Sequence, residues 1–151
     1  MLPVLTERAR LLIATFWVGS LWAIGYLAAP TLFVTLYDNV LAGTVAGSLF
    51  RTEAWVSVVC AVLLLVLQTW GKDKKAGRTE TRLVIAMLAC TVVGYFCLQP
   101  FMAALHENAG PGGVMVSDAH TQFAVLHGAS MVIYLVESLL GAALVLKQGT
   151  P

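Results

Sequence analysis

Four long apolar segments dominate this chain of 151 residues and constrain its fold more than any other feature. A helix that crosses a bilayer needs about 20 predominantly apolar residues, and the four segments meet or approach that length. They cover about residues 11–36, 50–70, 82–105 and 120–146. Because the segments use almost the whole chain, no room is left for a second domain. The sequence therefore predicts one all-α domain, an integral membrane four-helix bundle.

The composition agrees with a membrane location. Charged residues make up 11% of the chain, whereas soluble domains carry roughly 25%. This is too little polar surface to cover a water-soluble fold. A net charge of +1 indicates no basic surface for nucleic acid, so the lipid bilayer is the expected partner. No phosphate-binding loop, dinucleotide-binding glycine motif or zinc-protease motif occurs, which favours a role without catalysis.

Basic residues lie at one end of the predicted bundle. Arg8 and Arg10 precede the first segment, Lys147 follows the fourth, and five basic residues lie within 71–82. The connection 106–120 contains no lysine or arginine. Because short cytoplasmic loops carry an excess of Lys and Arg, we expect both termini to be cytoplasmic. The pattern predicts a multi-pass protein of the bacterial inner (plasma) membrane.

Two prolines interrupt the apolar segments. Pro30 follows Gly25 in the first segment, and Pro100 lies in the third. Proline in a membrane helix removes a hydrogen bond and kinks the helix, while neighbouring groups satisfy the freed carbonyl. We therefore predict that Gly25, Pro30 and Pro100 determine helix kinks and packing.

The weakly apolar stretch 38–49 has two readings. It is either a short helix at the membrane interface or a continuation of the second span. It contains Gly43 and Gly47 in a GxxxG spacing, which permits close approach of two helices. This spacing predicts a packing face. Four short helices are few for a transporter, so we expect a homo-oligomer or another membrane protein as partner.

Polar residues recur along one face of the fourth segment, at spacings of 7, 3, 4 and 3. They are His120, His127, Ser130, Tyr134 and Glu137. An ionisable residue inside a membrane costs about 2.5–3.5 kcal/mol on insertion scales, so such residues face the bundle interior. We predict a polar interior centred on His127, to which Arg51 and Glu53 contribute from the second segment.

The chemistry of this interior leaves several functions open. Histidine changes charge near physiological pH and ligates metals, so His127 suits a proton relay or a metal site, with His120 as a second ligand. No residue is assigned a catalytic role. The favoured function is small-molecule or metal-ion handling or transport. The alternatives are a structural or assembly subunit of a larger membrane complex and a haem-linked oxidoreductase, which leaves a metal ion or haem as possible cofactor.

Three stretches resemble a bacterial family of four-helix membrane proteins of unknown function. They are residues 16–33 (FWVGSLWAIGYLAAPTLF), 42–53 (AGTVAGSLFRTE) and 123–131 (FAVLHGASM), with the Leu-His-Gly-x-Ser element at 126–130 as the most specific part. That family is similar to the eukaryotic transmembrane protein associated with cisplatin resistance. It is similar more distantly to the copper-resistance D proteins and to the four-helix protoporphyrinogen oxidase of bacteria.

The resemblance implies a four-helix fold without an established reaction. It marks six positions of this chain: Gly25, Pro30, Arg51, Glu53, His127 and Ser130. The copper-resistance relatives imply a metal. The haem-dependent relatives carry a histidine in their first helix, and this chain departs from them because its first histidine is His106.

Overall fold

Four helical runs make up the fold. The computed structural model describes residues 2–69, 74–109, 114 and 118–149. We number the runs α1 (residues 2–35), α2 (Asn39–Thr69), α3 (residues 74–107) and α4 (His120–Gly149). Each contains a stretch long and apolar enough to cross a membrane. The predicted all-α four-helix membrane bundle is therefore confirmed.

The start of α2 decides between the two readings of 38–49. The Asp38 carboxylate accepts the backbone N–H groups of Val40 at 2.8 Å and Leu41 at 3.2 Å. Such a cap satisfies donors that the first helical turn leaves unpaired, so the helix begins directly after Asp38. Residues 39–49 therefore continue the second helix without a break and are not a separate helix.

α1 and α3 each contain one π-helical segment. α1 consists of the α-helix Leu2–Trp22, the π-helix Ala23–Ala28 and the α-helix Ala29–Thr35. α3 consists of the α-helix Lys74–Thr91, the π-helix Val92–Cys97 and the α-helix Leu98–Glu107. Both helices thus continue past their prolines.

The prolines account for the position of these π segments. A proline clashes with the carbonyl four residues before it and donates no bond to it. For Pro30 and Pro100 those carbonyls belong to Tyr26 and Phe96, which both lie inside a π segment. The wider π turn changes the local bonding pattern. The irregularity predicted at the two prolines therefore takes the form of a π turn just before each of them.

Each helix packs against two neighbours, in the cyclic order α1, α2, α3, α4. α1 and α3 are consequently diagonal to each other, and so are α2 and α4. The hairpins α1–α2 and α3–α4 occupy equivalent places. Both π segments also have Gly and Tyr as their third and fourth residues. The bundle is therefore built from two similar hairpins.

The apolar core lies towards one end of the bundle. We call the end where α1 begins and α4 finishes the terminal end, and the other the opposite end. The core cluster comprises Ala14, Trp17, Val18, Cys60, Ala61, Leu64, Val84, Met87 and Leu144. Within α4, none of residues 120–136 is buried. The apolar core cluster thus lies at the terminal end, and the half of α4 towards the opposite end is not buried.

Candidate functional site

Two buried glutamates mark the centre of the bundle. Glu53 on α2 is 3% exposed and Glu137 on α4 is 4% exposed. Their helices are diagonal, and both side chains are buried. Both glutamates lie next to the apolar core, on the side of the core that faces the opposite end of the bundle. Because ionisable residues are rare and expensive within a membrane, this pair is the primary candidate site.

Each glutamate accepts a hydrogen bond from its own hairpin. The Ser20 hydroxyl on α1 lies 3.1 Å from Glu53 Oε1, and the Thr91 hydroxyl on α3 lies 2.7 Å from Glu137 Oε1. In both hairpins, the first helix supplies the hydroxyl and the second supplies the carboxyl. The two similar hairpins therefore build two similar halves of one site.

Glu53 is the less satisfied of the two. The two hydroxyls do not account for this difference. The Ser20 hydroxyl also lies 2.9 Å from the Trp17 carbonyl, and the Thr91 hydroxyl lies 3.2 Å from the Met87 carbonyl. Among the described residues, Glu53 Oε2 has no hydrogen-bond partner although it is buried. Buried polar atoms in folded proteins are nearly always paired. The second oxygen of Glu53 is therefore an open acceptor in the bundle centre.

A tryptophan closes the site on its terminal side. Trp17 Nε1 donates a hydrogen bond of 2.8 Å to Ser57 Oγ, and both residues are buried. Ser57 lies one helical turn after Glu53 on the same face of α2. The bond therefore separates the glutamates from the apolar core below them.

An aromatic layer covers the site towards the opposite end. The Tyr134 hydroxyl donates to the Leu21 carbonyl at 2.6 Å, and the Tyr134 ring meets Tyr26 and Phe50 edge-on at centroid distances of 6.1 and 5.5 Å. The Tyr26 hydroxyl donates to Ser138 Oγ at 2.9 Å. Three helices thus contribute to this layer. Tyr134 lies next to the glutamates, on the side that faces the opposite end of the bundle.

The glycines predicted to mediate packing differ in their surroundings. A Cβ atom on Gly25 would lie 2.2 Å from Tyr134 Cε1, so Gly25 leaves the room that the Tyr134 ring occupies. A Cβ atom on Gly43 or Gly47 would meet no atom within 4 Å. Packing at Gly25 agrees with the prediction, whereas the GxxxG pair makes no close contact within the described part of the chain.

The histidines lie outside the bundle interior. His127 is exposed and stacks on Phe123 at a centroid distance of 5.7 Å. The Phe123 ring also meets the His106 ring edge-on, at a centroid distance of 4.9 Å. His120 is also exposed. The predicted centre at His127 is therefore corrected to Glu53 and Glu137, because burial along α4 begins only at Glu137.

Arg51 and Ser130, which were also predicted to line the polar interior, differ in their burial. Arg51 is exposed, and its Nε donates to the Tyr95 hydroxyl at 3.2 Å, so it does not belong to the polar interior as predicted. Residues two apart on a helix do not share a face, which explains why Glu53 points inwards. Ser130 is half-buried, and its Oγ has no partner among the described atoms.

The described residues bring no metal site together. Nowhere in the described ranges do three His, Cys, Asp or Glu side chains lie close enough to hold one ion. The metal predicted at His120 and His127 therefore lacks a third ligand in this part of the chain.

Sequence reasoning missed the groups that hold the glutamates in place. Ser20 and Thr91 are single hydroxyl residues inside apolar spans, and that is the only signal they give. Small hydroxyl residues are also common packing residues in membrane helices, so the signal does not separate the two roles.

We expect Thr91→Val to lower the free energy of unfolding by about 0.6–1.7 kcal/mol, the range measured for hydrogen bonds between membrane helices. The substitution keeps the shape of the side chain and removes the bond to Glu137. Unfolding by SDS in mixed micelles measures the loss. Thr44→Val is the matched control, because the exposed Thr44 hydroxyl bonds only a carbonyl of its own helix. Equal losses in both variants would contradict a role for the Glu137 bond.

The fold and the site together define a four-helix membrane protein with a pair of buried carboxyl groups at its centre. Residues 12–111 match the family model of a domain of unknown function, DUF4149. The chain belongs to this family, in agreement with the predicted membrane family of unknown function. No curated protein and no solved structure matches the chain significantly. The predicted similarity to the cisplatin-resistance and copper-resistance proteins thus rests on the residues alone.

Proposed function

We propose that this protein handles protons within the bilayer, with Glu53 and Glu137 as the groups that bind and release them. The proposal keeps the ion-handling and transport class favoured from the sequence and moves its centre from His127 to the glutamate pair. One observation carries it, namely the open, buried Oε2 atom of Glu53.

The surroundings of the pair favour a cation supplied from outside the chain. A buried carboxylate without a positive partner is strongly destabilising. The described ion pair joins Arg10 and Glu80 near the terminal end, and Arg51 points away from the interior. We therefore infer that a bound cation, and not Arg10 or Arg51, balances the charge of the glutamates.

The number of ligands favours a proton over a metal ion. Calcium takes six to eight oxygen ligands and magnesium near-ideal octahedral geometry, whereas the described site offers two carboxyl groups and a few hydroxyls. A proton needs only one lone pair, which Glu53 Oε2 supplies. Haem is not favoured, because His127 lies on the outer surface of α4. No specific contact favours an assembly subunit.

The packing of the bundle supports entry from the opposite end. The apolar core fills the bundle on the terminal side of the glutamates. On the other side lie the Tyr134 layer and, beyond it, residues 120–133 of α4, none of which is buried. If the termini are cytoplasmic, as the loop charges predict, protons reach the pair from the outer side of a bacterial inner membrane.

Proton flux into vesicles tests the proposal. We expect the purified protein in liposomes loaded with a pH-sensitive dye to acidify the interior when a potassium diffusion potential drives cations inward. We expect Glu53→Gln and Glu137→Gln to slow this flux by about tenfold or more, since a positioned proton-transfer group contributes at least that much. The glutamine side chain keeps the size of glutamate and cannot release a proton.

The controls separate the site from the protein surface. Glu107→Gln makes the same change at an exposed position on α3 and should leave the flux unchanged. With a sodium-sensitive dye in place of the pH-sensitive dye, the same potential should produce no sodium flux. The proposal fails if the native protein conducts no protons, or if the Glu53 and Glu137 variants conduct as well as the Glu107 variant.

A further inference from the structure

We propose that a groove between α1 and α2 binds one anionic phospholipid, with its head group on Arg51 and one acyl chain along the groove. This site lies on the outside of the bundle and is separate from the glutamate pair. It assigns a role to Arg51, which the proton proposal leaves unused.

The groove is open and apolar. Its volume is about 680 Å³, and its walls include Phe16 of α1 and Trp55, Val59 and Leu63 of α2. Arg51 is the one charged residue of the lining, and it stands at the end nearest the opposite end of the bundle. The groove thus combines a positive group at one end with an apolar channel leading away from it.

The Arg51 guanidinium is held in place and has donors left for an anion. Its Nε donates to the Tyr95 hydroxyl, which anchors the group to α3. No described residue accepts a hydrogen bond from its two Nη groups, and no described carboxylate pairs with it. A planar guanidinium with two free amino groups matches the oxygens of a phosphate. Arg51 therefore offers a fixed, bidentate site for a phosphodiester.

The dimensions fit a lipid of one leaflet. Arg51 lies 18 residues before Thr69 at the terminal end of α2, which corresponds to about 27 Å of helix. The hydrocarbon core of a bilayer is about 30 Å thick, so a core that begins at Thr69 places Arg51 close to the membrane–water interface and residues 39–50 of α2 beyond it. From Arg51 to Leu63 the groove runs for about 18 Å, slightly more than half the core thickness. One acyl chain of the leaflet at the opposite end spans that length.

The charges of the lining favour an anionic lipid over a zwitterionic one. The head group of a zwitterionic lipid carries an ammonium group beside its phosphate. No lining residue of the groove is acidic, so no carboxylate there pairs with an ammonium group. A phospholipid with net negative charge, such as phosphatidylglycerol, leaves no charge of its head group unpaired against Arg51.

Quenching of Trp55 fluorescence by brominated lipids tests this site directly, because Trp55 lines the groove and is 57% exposed. The full chain is reconstituted in phosphatidylcholine vesicles that contain an equal mole fraction of brominated phosphatidylglycerol or brominated phosphatidylcholine. The Trp55 signal is the difference between the native protein and Trp55→Phe. We expect brominated phosphatidylglycerol to occupy the groove about fivefold more strongly, the effect of one basic residue on an anionic lipid.

Two pairs of variants locate the preference. Arg51→Gln should abolish it, whereas Arg82→Gln, at an exposed arginine near the terminal end, should retain it. Val59→Phe, which fills the groove, should reduce quenching, whereas Leu139→Phe on the exposed face of α4 should not. Equal quenching by both lipids in the native protein means bulk lipid only and overturns the proposal. An undiminished preference in Arg51→Gln overturns it as well.

Discussion

Replacement of Trp17 by alanine should lower the free energy of unfolding by about 3–5 kcal/mol, the usual loss when a buried tryptophan is removed. Trp17 is fully buried at the centre of the core cluster and donates a hydrogen bond to Ser57. In a bilayer the surrounding lipid is as apolar as the core, so lost van der Waals contacts and the remaining cavity account for most of the effect. Circular dichroism during SDS unfolding in mixed micelles measures it.

Trp22→Ala provides the matched control for this prediction. Trp22 lies on the same helix and is 44% exposed, so its removal should change the free energy of unfolding by only about 0.5 kcal/mol. The Trp17 variant should also become less compact around Ser57, with faster hydrogen exchange in α2. Similar losses in the two variants would show that the core is not centred on Trp17.

Gly25→Ala should lower the free energy of unfolding by about 1–3 kcal/mol, the cost of forcing an extra methyl group into a packed site. The added Cβ atom would lie 2.2 Å from Tyr134 Cε1. The Tyr134 ring cannot simply turn aside, because it is held by its hydrogen bond to Leu21 and by two neighbouring rings. SDS unfolding of the variant measures the loss.

A double-mutant cycle isolates this contact. In a Tyr134→Ala background, Gly25→Ala should cost nothing, because alanine is the better helix former and the ring is absent. Gly19→Ala is the single-site control, since a Cβ atom there meets nothing within 4 Å. An equal cost of Gly25→Ala with and without the Tyr134 ring would exclude the clash as its cause.

The sequence was sufficient to predict the number and type of helices, because segment length and apolarity alone decide whether a chain crosses a bilayer. It was not sufficient for every boundary. The reading of 38–49 depended on Asp38, whose carboxylate caps α2, and a single capping residue is easily overlooked beside a weakly apolar stretch. The π segments were likewise visible only as the prolines that follow them.

The site was predicted in part. Glu53, Tyr134 and Glu137 were predicted to lie in the interior from their charge or spacing, and the structure places them there. His127 lies on nearly the same face of α4 as Tyr134, and periodicity identified that face correctly. Periodicity gives no information on how far along a helix the neighbouring helices cover it. Glu137 is buried, Ser130 and Tyr134 are half-buried, and the two histidines of α4 are exposed.

The partners of the glutamates were harder to predict for a different reason. In a soluble protein, polar residues on the outer face distinguish the buried side of a helix. In a membrane helix both the lipid and the core are apolar, and this contrast disappears. The buried face of α1, with Trp17 and Ser20, therefore has a composition similar to that of its lipid-facing side.

The two similar hairpins have a consequence for how the glutamates came to differ. A single hairpin with one carboxyl group and one hydroxyl would need only a second copy of itself to complete such a bundle, as in a symmetric dimer. Once both copies belong to one chain, each can change independently. Phe50 lies three residues before Glu53 and Tyr134 three residues before Glu137, yet only the tyrosine can form a hydrogen bond to the facing helix. Because both hairpins belong to one chain, two glutamates in equivalent places can differ in the side chains that surround them.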